Sequence, residues 1–99
     1  MDTVNTLTET VRQAVRSYAR RGYNAAGERD RLYYVENPQD QVFAILAAWN
    51  SALKRADLVL MARIVDDQVI IEQDKTSVSL WDELQKVGVP KEQIIWKHS

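Results

Sequence analysis

The sequence predicts an α+β fold: an N-terminal helix, a four-stranded and mainly antiparallel meander sheet, a C-terminal helix and a short last strand. Three observations predict it. Apolar residues between positions 6 and 21 recur at steps of three and four. From position 31 to 74 come apolar runs containing many β-branched and aromatic residues, interrupted by turn signals. From Ser79 to Gly88 a capped helical pattern returns, followed by the apolar run "QIIW". A sheet with helices over one face is the economical way to bury these patterns together.

The first helix, residues 6–21, has an apolar stripe of Leu7, Val11, Ala14, Val15 and Tyr18. Thr6 and Glu9 have capping-box spacing, worth about 1 kcal/mol where the box forms. Gly22 supplies a stop. Arg12, Arg16 and Arg20 recur every fourth residue on the side away from the stripe. Such a ridge reads as a solvated helix face or as a contact for an acidic partner or phosphates.

Residues 23–30, "YNAAGERD", read as a loop, and "RLYYVE", residues 31–36, as the first strand. Asn37-Pro38 breaks it, because the residue before proline is pushed out of the helical region. "VFAILAAW", residues 42–49, is apolar throughout and fits a buried strand or a buried helix segment; its alanines favour helix, its β-rich flanks and short length favour strand. "NSALKR" then serves as a hairpin connection or a helical turn. Residues 56–66, "ADLVLMARIVD", alternate, with Leu58, Leu60, Ala62 and Ile64 on one side and Val59, Met61, Arg63 and Val65 on the other. Asp66-Asp67 makes a tight turn into "QVIIEQD". In the second helix Ser79 is the expected N-cap, with Asp82 three residues on. Leu80, Leu84 and Val87 form its inward stripe, Gly88 ends it, and Pro90 opens a further turn. Trp81, one position off the stripe, belongs to the edge of the core or to the surface.

Catalysis needs a positioned base, nucleophile or electrophile, and the sequence offers little of that. There is no cysteine and one histidine, His98, so disulfides, thiolate chemistry and the common zinc patterns are excluded. The serines lack recognisable partners, no G-x-S-x-G elbow exists, and the three glycines cannot make a phosphate loop. Asp66-Asp67 lacks the further oxygen ligands of a calcium loop. A net charge of −1 does not favour nucleic acid as the leading partner, and no apolar run is long enough to span a bilayer. The expectation is one domain over 1–99, cytoplasmic, non-enzymatic, with no cofactor, no metal and no membrane association.

Two stretches go further. "DDQVIIEQDKTS", from Asp66 to Ser77, and "ELQKVGVPKEQII", from Glu83 to Ile95, resemble the XisI family, the fdxN element excision controlling factor proteins. That family has a run like "DGKIWIQ-D-TE", then an acidic helix, then "GVPKEDIV". Its "D-Y-LL-VGW" strand falls on Asp40, Phe43, Ile45, Leu46 and Trp49, with a basic residue matched at Arg55. The family-motif positions are therefore Asp40, Trp49, Arg55, Asp67, Gln73, Asp74, Thr76, Gly88 and Pro90. The resemblance assigns "VFAILAAW" to a strand and covers residues 40–96 in register. This chain departs from it at Gln68, matched to the family glycine, at Ile70, matched to a tryptophan, and at Ser77, matched to a glutamate.

The resemblance implies a regulatory protein. Members look like non-enzymatic partners of a XisH-like protein, which resembles a nuclease fold, acting in element excision or as a toxin–antitoxin pair. The candidate partner-binding residues are Arg12, Arg16, Arg20, Trp81, Thr76, Ser77 and Asp82. Direct DNA binding during recombination is the alternative, and a small core with an exposed last strand makes a homo-oligomer a further expectation.

Overall fold

The computed structural model describes residues 3–21, 32–50 and 55–97, with side chains described throughout except at 3–5, 48–50 and 55. Helix α1 (Thr3–Arg21) precedes a meander of β1 (Leu32–Asn37), β2 (Val42–Asn50), β3 (Arg55–Val65) and β4 (Gln68–Asp74). Helix α2 (Leu80–Lys86) and a 3₁₀ turn (Lys91–Gln93) lead to β5 (Ile94–Trp96). The strands lie in the order β1-β2-β3-β4-β5. The first four pair antiparallel, and β5 joins β4 in parallel. The loop expected over 23–30, most of the connection after Asn50, the Gly22 stop and His98 lie outside the described residues.

Both helices pack on one face of the sheet. Leu7, Val11, Val15 and Tyr18 of α1 and Leu80 and Leu84 of α2 are buried there. Beneath them lie Leu32, Phe43, Ile45, Ala47, Leu60, Ala62, Ile64, Val69, Ile71 and Ile94, one side of each strand. "VFAILAAW" is a strand, as its β-rich flanks and the family pattern indicated.

Three local expectations need correction. Helix α1 already runs from Thr3, so Thr6 lies inside it and is not its N-cap; the Thr6 carbonyl accepts a bond from Thr10 Oγ1 at 2.9 Å. Val87 is 59% exposed at the C-cap of α2, and Val89 takes its place in the core. Gly88 at φ 101° turns the chain back, so that its N–H reaches the Gln85 carbonyl and the Val89 N–H reaches that of Leu84. This doubly bonded C-terminal cap drives Val89 beside Leu84. Finally, Leu58 does not share a face with Leu60. Ile45 pairs with Leu60 but Leu46 with Leu58, leaving Val59 as an extra, buried residue on β3. A bulge of this kind resets the alternation, which no period-2 reading of the sequence can show.

A second bulge sits on β4, where Ala62 pairs with Ile71 but Met61 with Gln73, leaving Glu72 as the extra residue. It matters below, because it turns Asp74 toward the helices, opposite buried Leu60. The hairpin turn between β3 and β4 holds Asp66 at φ 50° and Asp67 at φ 63°. Two positive φ values in a two-residue turn match the right-handed twist of the strands. The glycine-favouring positions are thus 66 and 67, and Gln68 is already the first residue of β4. Asp67→Gly is expected to stabilise the chain by about 0.5–1 kcal/mol, seen as a higher urea midpoint with an unchanged slope.

Candidate functional site

Four places bring polar or apolar groups together, two of them junctions between elements and two of them open surfaces. The first joins α1 to the end strand β1. Arg12 reaches Glu36 with both arms, Nε to Oε1 and Nη2 to Oε2, each at 2.8 Å. Tyr34 Oη donates to Glu36 Oε1 at 2.5 Å, and Arg12 Nη1 also meets Glu9 at 2.5 Å. Arg16 lies over the Tyr34 ring, 5.5 Å from its centroid. The paired Arg12 holds the Glu36 carboxyl down to about 2, helped by the Tyr34 hydroxyl and opposed by burial. Arg12 is raised by the same bond, and Tyr34 is raised by burial and by Glu36.

The second place is the corner between β4 and α2. Asp74 Oδ1 accepts from the Thr76 N–H at 2.9 Å and from Thr76 Oγ1, and its Oδ2 accepts from the Leu80 N–H at 2.7 Å. Ser79 accepts from the Asp82 N–H at 3.2 Å, the cap expected from the spacing. Tyr18 Oη crosses from α1 to donate to the Val78 carbonyl at 2.6 Å. Burial, and then the Asp74 charge, push the Tyr18 hydroxyl up, so it stays a donor. Nearby, Trp81 stacks on Trp96 of β5 with centroids 6.4 Å apart.

The third is an open cleft of about 440 Å³ between the two helices, lined among others by Gln13, Ala14, Ser17, Arg21, Glu83 and Val87. Arg21 spans it to Glu83 at 3.0 Å and lies 4.9 Å from the Tyr18 ring centroid. The fourth is the sheet face away from the helices, which carries Tyr33, Val35, Leu46, Val65 and Ile95, all exposed.

Measured against the expected partner surface, these positions separate. Arg12 and Arg16 lie against β1 while Trp81 lies against β5, at opposite edges of the sheet. Arg12 is only 27% exposed and is committed to Glu36, so it does not belong to a free basic ridge. Arg16 and Arg20 are exposed. Thr76 and Asp82 take part in the β4–α2 corner, and exposed Ser77 lies between them. Among the described residues no three His, Asp or Glu side chains converge as a metal site, and no helix is long and apolar enough to cross a membrane.

The sequence model of the XisI protein family matches residues 1–98. The chain belongs to the XisI family. Its fold is that of solved structures from Anabaena variabilis ATCC 29413. One is a XisI-like protein, with a TM-score of 0.78 and 19% identity over 94% of this chain and 84% of that one. Another is the fdxN element excision controlling factor XisI, with a TM-score of 0.74 and 20% identity over 95% and 90%. No curated protein matches the chain.

The described positions on which the sequence resemblance rests have structural roles. Asp40 closes the β1–β2 turn, its N–H bonded to Asn37 Oδ1 at 3.2 Å and its carboxylate to Asn37 Nδ2 at 3.1 Å. The Asp67 carbonyl accepts from Gln93 Nε2 at 2.8 Å, tying the hairpin tip to the turn before β5. Gln73 Nε2 reaches the Leu58 carbonyl at 2.6 Å, beside the bulge. Asp74 and Thr76 make the corner, Gly88 the helix stop, and Pro90 the N-cap of the 3₁₀ turn. Trp49 and Arg55 lie on β2 and β3, but their side chains are outside those described. These positions thus hold turns and junctions of the fold.

Tyr34, Glu36, Arg21 and Glu83 were not singled out from the sequence, since each acquires its role from a partner on another element. The outer sheet face did leave a signal. An antiparallel strand with one wet face should alternate apolar and polar residues, and "VFAILAAW" does not.

Proposed function

We propose that this XisI-family chain is a non-enzymatic controlling factor of DNA element excision that acts by binding a XisH-like protein of nuclease fold, and as its antitoxin where that partner is toxic. The observation that carries this reading is the cleft between α1 and α2. It combines the small apolar floor of Ala14, the exposed Val87 and one charge of each sign, Arg21 and Glu83, on two helices. A mixed rim around apolar contacts suits a protein side chain or helix better than a phosphate chain. The pairing of cations supports the same reading over direct DNA contact. Arg12, Arg21, Arg63, Lys75 and Lys97 each have a carboxylate within ion-pair distance, which leaves only Arg16, Arg20, Lys86 and Lys91 without an ion pair among the described residues, and a protein that neutralises many phosphates needs many unpaired cations.

The test is a pull-down of the tagged chain from its host lysate after nuclease treatment, followed by mass spectrometry. Recovery of a stoichiometric XisH-like protein is expected. Val87→Asp is expected to weaken that complex at least tenfold, on the order of 1.4 kcal/mol or more, with an unchanged circular-dichroism spectrum. Loss of all binding on DNA digestion would overturn the reading in favour of direct DNA contact, and steep salt dependence would accompany it.

A further inference from the structure

Of the large hydrophobic side chains exposed among the described residues, which are Tyr33, Val35, Leu46, Val65, Val78, Val87 and Ile95, five share one surface. Tyr33 and Val35 alternate outward on β1, Leu46 on β2, Val65 on β3 and Ile95 on β5. Cross-strand pairing places them with Ala44, Leu58, Met61 and Ile70, so the apolar surface runs across the full width of the sheet. Contiguous apolar area of this kind marks an interaction site.

We infer that this outer face is where two copies of the chain pack together, sheet on sheet. The charges on it decide the occupant. Arg63 and Glu72 are already bound to each other at 2.5 Å, and Lys97 approaches the same Glu72 at 3.4 Å. Arg63, and then Lys97, hold the Glu72 carboxyl below its usual range, so the anion persists. A face whose cation and anion are mutually satisfied offers nothing to a phosphate backbone or to a partner of strong single-sign charge. A two-fold copy of the same face matches it on both counts. Apolar rows meet apolar rows, and Arg63 and Glu72 of one protomer lie beside Glu72 and Arg63 of its partner. β3 is the middle strand of the sheet, and the inferred two-fold axis passes over its Arg63 end, beside that charge pair. Such an isologous contact closes at two subunits, and aligned stacking of two twisted sheets is an established way to bury one face of each. The helix-side cleft stays open in such a dimer, so this inference does not depend on the reading of the partner.

Equilibrium sedimentation of the full chain tests it. The wild-type chain is expected to be a dimer, and Leu46→Lys is expected to weaken self-association at least about a hundredfold with its circular-dichroism spectrum retained. A monomeric wild type at every concentration, or a dimer unchanged by Leu46→Lys, overturns the inference. Should Leu46→Lys not fold, Arg63→Glu and Glu72→Arg serve instead. Each alone is expected to be monomeric through like-charge repulsion across the axis, and their mixture to dimerise; self-association unaffected by either change overturns the inference. Retention of the XisH-like protein by a monomeric Leu46→Lys chain would separate the two surfaces.

Discussion

Asp74→Ala is expected to lower the unfolding free energy by about 3 kcal/mol, measured as a fall in the urea midpoint. One carboxylate receives three hydrogen bonds, from the Thr76 N–H, the Thr76 hydroxyl and the Leu80 N–H. Leu80 is the first residue of α2 and is fully buried, so its N–H loses an acceptor where water has poor access. Bonds to an ionised acceptor are roughly twice as strong as neutral ones, and an unsatisfied buried donor carries its whole desolvation cost. Asp74→Asn retains one acceptor oxygen and should recover about half the loss. The consequence reaches beyond stability. The same corner presents the Val78 carbonyl to Tyr18, so loosening it frees α2 from α1 and deforms the cleft between them. A full-sized stability loss together with unchanged binding of the XisH-like protein would count against that coupling.

Glu36→Gln is expected to cost about 2 kcal/mol at neutral pH, because it breaks a partly buried two-pronged pair and leaves Arg12 facing a neutral amide. The Glu36 side chain is 14% exposed and that of Arg12 27%, so solvent screens the pair only in part. The sign of the pH dependence follows from the direction of the shift. Glu36 is held at about 2, below the ordinary value of 4.5 that it has in the unfolded chain. Its contribution is therefore complete above 4.5 and is lost as pH falls from there toward 2. The stability gap between wild type and Glu36→Gln should narrow steadily over that window, as read by urea denaturation at a series of pH values. A gap that stays constant down to the lowest pH would show that packing, not charge, links α1 to β1. Tyr34 and Arg16 should respond too, since the Glu36 carboxylate orients the ring on which Arg16 rests.

The two predictions bear on how the XisI pattern works. Asp74 and Thr76 match motif positions, yet they shape a corner and face inward or along the chain. Glu36 and Arg12 lie outside the stretches that carry the sequence resemblance and fix the helix layer to the end strand. The residues that hold the scaffold are thus spread over both halves of the chain, while the open surfaces are the helix cleft and the outer sheet face.

What the sequence by itself determined is local. A three-and-four spacing from Leu7 to Tyr18 is enough to specify one helix face, because the helical period alone places those side chains together. Ser79 with Asp82 and the glycine at 88 mark the ends of α2 for equally short-range reasons, the first an N-cap bond and the second a backbone conformation that side chains disfavour. Asp66-Asp67 marks the hairpin in the same way. The tertiary structure decided everything that depends on a partner distant in sequence. The four-residue spacing places Arg12 on a ridge that is solvated or open to an acidic partner, whereas in the fold it is bound by Glu36, 24 residues on. The bulges at Val59 and Glu72 depend on how three strands align, so the alternation written along β3 could not reveal which of Leu58 and Val59 turns inward. The parallel seating of β5 on β4, and with it the Trp81–Trp96 stack, required α2 to carry the chain back across the sheet. An apolar run such as "VFAILAAW" states that both faces of a strand are greasy. Only the packed sheet shows that the helices cover one of them, because which face is covered is settled by contacts between elements and not by any period within one.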